Sequence, residues 1–295
     1  MPSLAPSAGS PRLRREQVAG MNIHYIMWSL DYFLDVQQRL GFKSIELWAA
    51  EPHVTLDHTG YFEADELRRK VESRGLSISS LCPENIVYPW QYAARKPLHA
   101  QRSLAYFKHG IELAEVLGAP YMSINSGWGD WDEDREEAWK RSAEHLSILA
   151  DYAGEHGVTL CMESLRPQES NLVTTLADAA RMLDQVASPH LTPMVDTTAM
   201  GVAGETLDDW FRAFGDGSIK NMHFIDGDPY GHLVWEMAST IWTRLSCRST
   251  PTASRGTLAR KSPMAGISTT LPPRTNATCE RSRNISSINA MRTRV

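Results

Sequence analysis

The sequence predicts an α/β protein, a (β/α)8 TIM barrel that stops one strand short of closure. Three observations carry this expectation. From Met21 to Trp235, seven short apolar runs alternate with six amphipathic ones. Glycines stand where several of the amphipathic runs end. Polar residues gather at the C-terminal ends of the apolar runs, the rim on which a barrel of parallel strands carries its chemistry.

The elements follow in order. The opening MPSLAPSAGSPRLRREQVAG is rich in Pro, Ser, Ala and Arg and lacks the apolar middle of a secretory signal. Residues 1–20 are therefore expected to be a disordered leader, a short tail or translation from an upstream start, with an Arg-rich transit peptide as the alternative. Strands are expected at NIHYIMW (22–28), SIELW (44–48), LSISSL (76–81), PYMSIN (120–125), VTLCME (158–163), LTPMVD (191–196) and IKNMHFI (219–225). Helices are expected near 31–40, 63–74, 98–117, 134–156, 174–187 and 206–214, where apolar residues recur at steps of three and four. Gly41, Gly75, Gly118 and Gly157 follow four of these helices, where the chain must turn left-handed before the next strand. Such alternation implies parallel strands with right-handed crossovers, in an open doubly wound sheet or a closed barrel.

Composition narrows the classes. A chain of 295 residues that is 42% hydrophobic can build one large core, and its net charge of −5 offers no basic footprint for nucleic acid. No apolar run approaches the roughly 18 residues of a membrane helix. Cys82, Cys161, Cys247 and Cys279 share no metal-type spacing, so reduced thiols in a cytoplasmic protein are expected.

The candidate rim holds Glu46, Trp48, Glu84, Asn125, Glu163, Asp196 and His223. Taken singly, each has an ordinary structural reading, a carboxylate as helix cap or loop acceptor and a histidine as a satisfied core residue. Glu163, Asp196 and His223 are different because they end three consecutive strands. One rim would bring two carboxylates and an imidazole together, a ligand set for a divalent ion such as Mn2+, Mg2+, Co2+ or Zn2+.

At these residues the sequence resembles the sugar isomerases and epimerases of the xylose-isomerase-like barrel superfamily, above all the ketose 3-epimerases and, among them, the fructoselysine 3-epimerases. The likeness runs through IELWAAEPH (45–53), PENIVYP (83–89), MESLRPQESN (162–171), SPHLTPMVDTTA (188–199) and IKNMHFID (219–226). It implies that Glu163, Asp196 and His223 bind the metal, that Glu163 is catalytic, and that Glu169, six residues on, contacts substrate hydroxyls. His232 matches a histidine of the loop after the seventh strand, although EMAS follows where the family has glycines, and Ala199 stands where some relatives have histidine. Glu46, Trp48 and Glu84 complete the expected substrate-binding set.

The implied chemistry is proton transfer at the carbon beside a ketose carbonyl, through an enediolate that a metal would stabilise. Epimerisation needs a second proton carrier on the opposite face, in the family a Glu ending the eighth strand, some thirty residues beyond His232. Residues 236–295 instead hold ten Arg or Lys against two Glu, 19 Ser or Thr and one aromatic residue. Two readings of this stretch are open: a natural disordered basic tail, or a frameshift product. Restoring one G after Trp235 gives Trp-Gly-Asp-Gly-Glu-Tyr-Asn-Leu-Asp, and synonymous codons beneath Arg255 to Ile267 then permit Gly-Tyr-Leu-Gly-Glu-Glu-Ile-Thr-Asp-Gly-Arg-Tyr. The chain divides accordingly into a leader (1–20), a catalytic barrel (21–235) and a tail (236–295), with a small-molecule sugar as partner and a homo-oligomer possible.

Two other classes compete. A catalytically inactive sugar-binding barrel would keep the contacts without turnover. An abasic-site endonuclease on the same barrel would need further His ligands and a basic face, against which stand Ala199 and 33 acidic residues to 20 basic ones before residue 236.

Overall fold

The computed structural model describes residues 14–86, 89–215 and 217–227, and the backbone of 257–260. Eight parallel strands form a closed barrel. In order round the ring they are β1 (Val18–Met21), β2 (Ser44–Ala49), β5 (Ser77–Pro83), β6 (Tyr121–Ile124), β7 (Thr159–Glu163), β8 (Leu191–Asp196), β9 (Asn221–His223) and β10 (Thr257–Arg260). A two-stranded hairpin of β3 (Leu56–Asp57) and β4 (Gly60–Tyr61) stands outside the ring. The helices are α1 (Leu30–Leu40), α2 (Ala64–Glu72), α3 (Pro97–Val116), α4 (Arg135–Glu155), α5 (Leu176–Val186), α6 (Thr197–Val202) and α7 (Leu207–Phe214).

Where sequence periodicity was strong, the elements lie within two residues of expectation. Helix α1 shows why. Its apolar residues Leu30, Phe33, Leu34 and Val36 recur at helical spacing and are buried, Ser29 caps its first turn by accepting from the Tyr32 amide, and Gly41 at φ 76° turns the chain out.

Two expectations are corrected. The first strand is Val18–Met21, not 22–28; Asn22–Tyr25 form a 3-10 turn at the top of β1. The apolar character of 22–28 serves the rim instead, where the Tyr25 ring packs edge-on against Phe33 at 5.0 Å. The small residues Ala19 and Gly20 left the true strand without a strong signal. The second correction concerns closure. The backbone of Thr257–Arg260 pairs with β9 on one side and β1 on the other, so an eighth strand occupies the place that the sequence left vacant. Residues 1–13 of the expected disordered leader and most of the basic tail lie outside the described residues, whereas Arg15–Gln17 form a 3-10 helix and residues 18–20 belong to β1, so the end of the expected leader is part of the barrel.

One apolar core fills the space between barrel and helices, with Trp139, Trp210, Tyr106, Phe33 and Phe107 among its largest fully buried side chains. Helix α4 contributes Trp139, whose ring lies between the guanidinium groups of Arg135 and Arg181, 5.1 and 4.1 Å from its centroid, while its indole N–H donates to Gln185 Oε1 at 2.8 Å. This one residue ties α4 to α5. Among the described residues, no helix is long and apolar enough to cross a membrane.

Candidate metal and sugar site

The C-terminal ends of β7, β8 and β9 bring Glu163, Asp196 and His223 together. One ligand atom from each lies within 4.8 Å of the others, and all three residues are buried. Adjacent registers explain the meeting: Glu163 pairs with Met194, and Asp196 with His223, so the three chain ends lie side by side on one rim. His223 Nδ1 is 2.5 Å from Glu163 Oε1 and 4.0 Å from Asp196 Oδ2.

Asp196 divides its two oxygens between two tasks. Its Oδ1 accepts from the Thr198 and Ala199 amides at 2.7 and 3.0 Å, capping α6, which leaves Oδ2 on the side of His223. Next to it, Thr197 Oγ1 donates to the Ile225 carbonyl at 2.5 Å and accepts from the Ile225 amide at 2.9 Å, fixing the chain just beyond His223. Short α6 had no sequence signal as a helix, yet its first-turn amides orient the Asp196 carboxylate.

Arg166, near the carboxylates of the trio, is paired with Glu169. The Glu169 carboxylate accepts from the Arg166 amide at 3.1 Å and from Nε at 2.9 Å, and it also meets Nη2. Hydrogen bonding to Glu169, and then the nearby charges of Glu169, Asp196 and Glu163, hold the Arg166 guanidinium above its ordinary pKa despite burial. A permanent positive charge therefore lies near both carboxylates of the trio as well as Glu169.

Glu46 is corrected. Expected to touch substrate, it is fully buried inside the barrel. Its Oε1 accepts from Ser123 Oγ at 2.8 Å and Asn221 Nδ2 at 2.8 Å, and its Oε2 lies 3.0 Å from His223 Nε2. Burial pushes this carboxyl up, but the His223 charge and the hydrogen bonds from His223, Ser123 and Asn221 outweigh it and leave the group below its ordinary pKa. The other rim residues form a separate bonded set. Trp48 donates its indole N–H to Glu84 Oε2 at 2.8 Å, Glu84 Oε1 accepts from the Ile86 amide at 3.2 Å, and Asn22 clamps the Trp48 backbone from both sides. His232 lies outside the described residues.

Sequence reasoning missed Asn22, Ser123, Arg166 and Asn221. For Asn221 a signal exists: it stands two residues before His223 on the same strand and so points to the same interior. Cys161 lies below the rim on β7, where burial pushes its thiol up to about 12. A cleft of about 300 Å3 between the loops after β6 and β7, bordered by Trp131, Arg135 and Asn171, does not include the trio.

The chain is 30% identical over 189 residues to a fructoselysine 3-epimerase of Shigella flexneri, covering 64% of this chain and 68% of that one. It is 25% identical over 227 residues to a D-psicose 3-epimerase of Enterocloster bolteae, covering 70% and 71%. An L-ribulose 3-epimerase structure superposes with a TM-score of 0.69 at 20% identity, over 84% of this chain and 82% of that one, a likeness of fold. The model of the xylose isomerase-like TIM barrel family matches residues 34–236, and the chain belongs to that family.

Proposed function

We propose that the chain is an isomerase of the ketose 3-epimerase type, acting on a ketose or a fructoselysine-like derivative with a divalent cation as cofactor. The observation that carries this reading is the meeting of Glu163, Asp196 and His223 at the ends of three neighbouring strands. Two carboxylates and an imidazole fit a hard to borderline divalent ion, with Mn2+, Co2+ and Mg2+ favoured and Zn2+ compatible. When bound, such an ion withdraws charge from sugar oxygens and so acidifies the C–H bond beside the carbonyl.

The chain's own residues do the rest. Glu163 takes the proton from the carbon next to the carbonyl, and its buried setting keeps water from competing for that role. Glu169, held in one orientation by Arg166, accepts hydrogen bonds from sugar hydroxyls. Trp48, fixed by Glu84, offers an apolar face at the rim, and His232 completes the substrate contacts. Glu46 takes no part in binding the sugar. A cytoplasmic setting accords with the reading of the thiols as reduced.

Inversion at one carbon also needs a group on the opposite face. The strand that closes the barrel reads Thr-Leu-Ala-Arg, and the only acidic residues after His232 are Glu236 and Glu280. We infer that the chain as written is impaired, having lost the closing carboxylate through a frameshift after Trp235. The position of β10 supports this reading, since the shifted frame places Gly-Tyr-Leu-Gly-Glu-Glu across the same stretch.

The coding DNA across codons 230–265 is the first check. Next, the chain as written and a version with one G restored after Trp235 are assayed on fructoselysine, psicose and tagatose with Mn2+ or Co2+. The expected result is epimerised product from the restored version alone. Equal turnover by both would overturn the impairment, and sugar binding without turnover by both would favour an inactive sugar-binding barrel.

A further inference from the structure

The interior of a (β/α)8 barrel is ordinarily packed with branched apolar side chains. Here a connected polar group sits directly beneath the rim: Glu46 from β2, Ser80 from β5, Ser123 from β6 and Asn221 from β9, all buried. Asn221 Nδ2 donates to Glu46 Oε1 at 2.8 Å and lies 3.3 Å from Ser80 Oγ and 3.2 Å from Ser123 Oγ. Burying a carboxylate in this way is costly unless every oxygen is satisfied, so its presence calls for a partner that repays the cost. That partner is His223, whose Nε2 is 3.0 Å from Glu46 Oε2.

Several features fix this contact. Glu46 Oε1 is held by donors from two different strands, Ser123 and Asn221, so the carboxylate cannot rotate away without breaking both bonds. The register between β2 and β5 slips by one residue at this point, with Ile45 opposite Ile78 but Glu46 opposite Ser80. The extra residue, Ser79, uses its hydroxyl to bond the Ile45 carbonyl at 3.0 Å. A bulge beside a functional residue re-aims a side chain, and this one sets the direction of Glu46 into the barrel. Because Asn221 and His223 are two apart on one strand, the same carboxylate grips that strand at two successive inward positions.

Imidazole has two nitrogens, and a neutral ring carries its proton on only one of them. Nδ1 faces Glu163 and Asp196, and Nε2 faces Glu46. With a cation engaging Glu163 and Asp196 on the Nδ1 side, the carboxylate opposite Nε2 selects the tautomer that bears its proton there, because a lone pair in that position would meet the negative oxygen. The same partner stops ring rotation and makes the other nitrogen a stronger donor.

We propose that Glu46 is a positioning residue, holding His223 with its Nε2–H donated inward so that Nδ1 presents its lone pair to a divalent cation shared with Glu163 and Asp196. The proposal rests on the reading of those three residues as the cation site.

Calorimetry with Co2+ on the wild-type chain, Asp196→Ala and Glu46→Gln, together with 15N NMR of histidine in the Zn2+-loaded wild type, tests it. The His223 signal is assigned by its loss in His223→Ala. The expected results are clear heats from the wild type, none from Asp196→Ala, and an affinity lowered about 10- to 100-fold in Glu46→Gln. The wild-type spectrum should show the His223 proton on Nε2, and the Co2+ absorption spectrum of Glu46→Gln should differ from that of the wild type. The NMR measurement is made on the wild type and needs no Glu46 variant: a proton on Nδ1 of His223 overturns the proposal. So does a folded Glu46→Gln that binds Co2+ with wild-type affinity while Asp196→Ala does not bind. A wild-type chain that binds neither ion removes the cation site itself and the proposal with it.

Discussion

A carboxylate or imidazole acquires its role from what the fold sets beside it. Glu163, Asp196 and His223 could be singled out in the sequence because each ends an apolar run and strand ends share a rim. Glu46 lies inside such a run, and its surroundings come from β6 and β9, 77 and 175 residues away in the chain. No local pattern reveals a partner at that distance, which is why it was read as a sugar contact. Asp196→Ala should leave no measurable Co2+ heat, and it should also lower stability by about 1 kcal/mol through loss of the α6 cap, a separate effect visible in thermal melts. Cys161 offers a simpler check. With its thiol raised to about 12 by burial, it should resist iodoacetamide at pH 8 in the native chain and react fully in urea, as mass spectrometry of tryptic peptides would show.

Strands and helices with clean periodicity were legible, while the elements that depend on tertiary partners were not. β1 is four residues of which two are Ala and Gly, and α6 exists because Asp196 caps it. Helix α4 illustrates the opposite case, since its apolar stripe both predicted it and anchors it. Trp139→Ala should cost about 3–5 kcal/mol, because it empties a large core site and removes the indole donor to Gln185 on α5; the midpoint of urea unfolding reports this. Before the same helix lies a charge cluster. Burial pushes Glu133 up, but hydrogen bonds from Arg141 and the Asp130 amide and the Arg141 charge outweigh it, so its carboxyl titrates below the ordinary range. A folded-state pKa below the unfolded one, about 4.3, gives stability that is present above that value and lost as pH falls through the folded one. Glu133→Gln should therefore be less stable than wild type at pH 6, by about 1 kcal/mol, and the difference should shrink as pH falls through the lowered folded-state pKa of Glu133.

For the molecule as a whole, alternation gave parallel strands, and the polar strand ends and the family resemblance gave the TIM barrel, but its closure could not be read. Thr257–Arg260 has no apolar run and no flanking periodicity, and its place is set by the open edges of β9 and β1 that it covers. A chain ending at residue 235 leaves both edges unpaired. It should melt at a lower temperature than the full chain and bind a hydrophobic dye such as ANS, and equal melting of the two would show that closure adds no stability.

The pairing of Val18 with Leu258 joins nearly the two ends of the described chain. Contacts so distant in sequence form late in folding, because a long loop must close before they yield anything. During synthesis, seven strands leave the ribosome before the one that seals them, so the nascent protein passes through a stage with two bare strand edges. Pulsed hydrogen exchange should find the amides of β1 protected after those of β7 and β8. Any change in reading frame beyond Trp235 therefore alters the last step of assembly while leaving the earlier ones as they were.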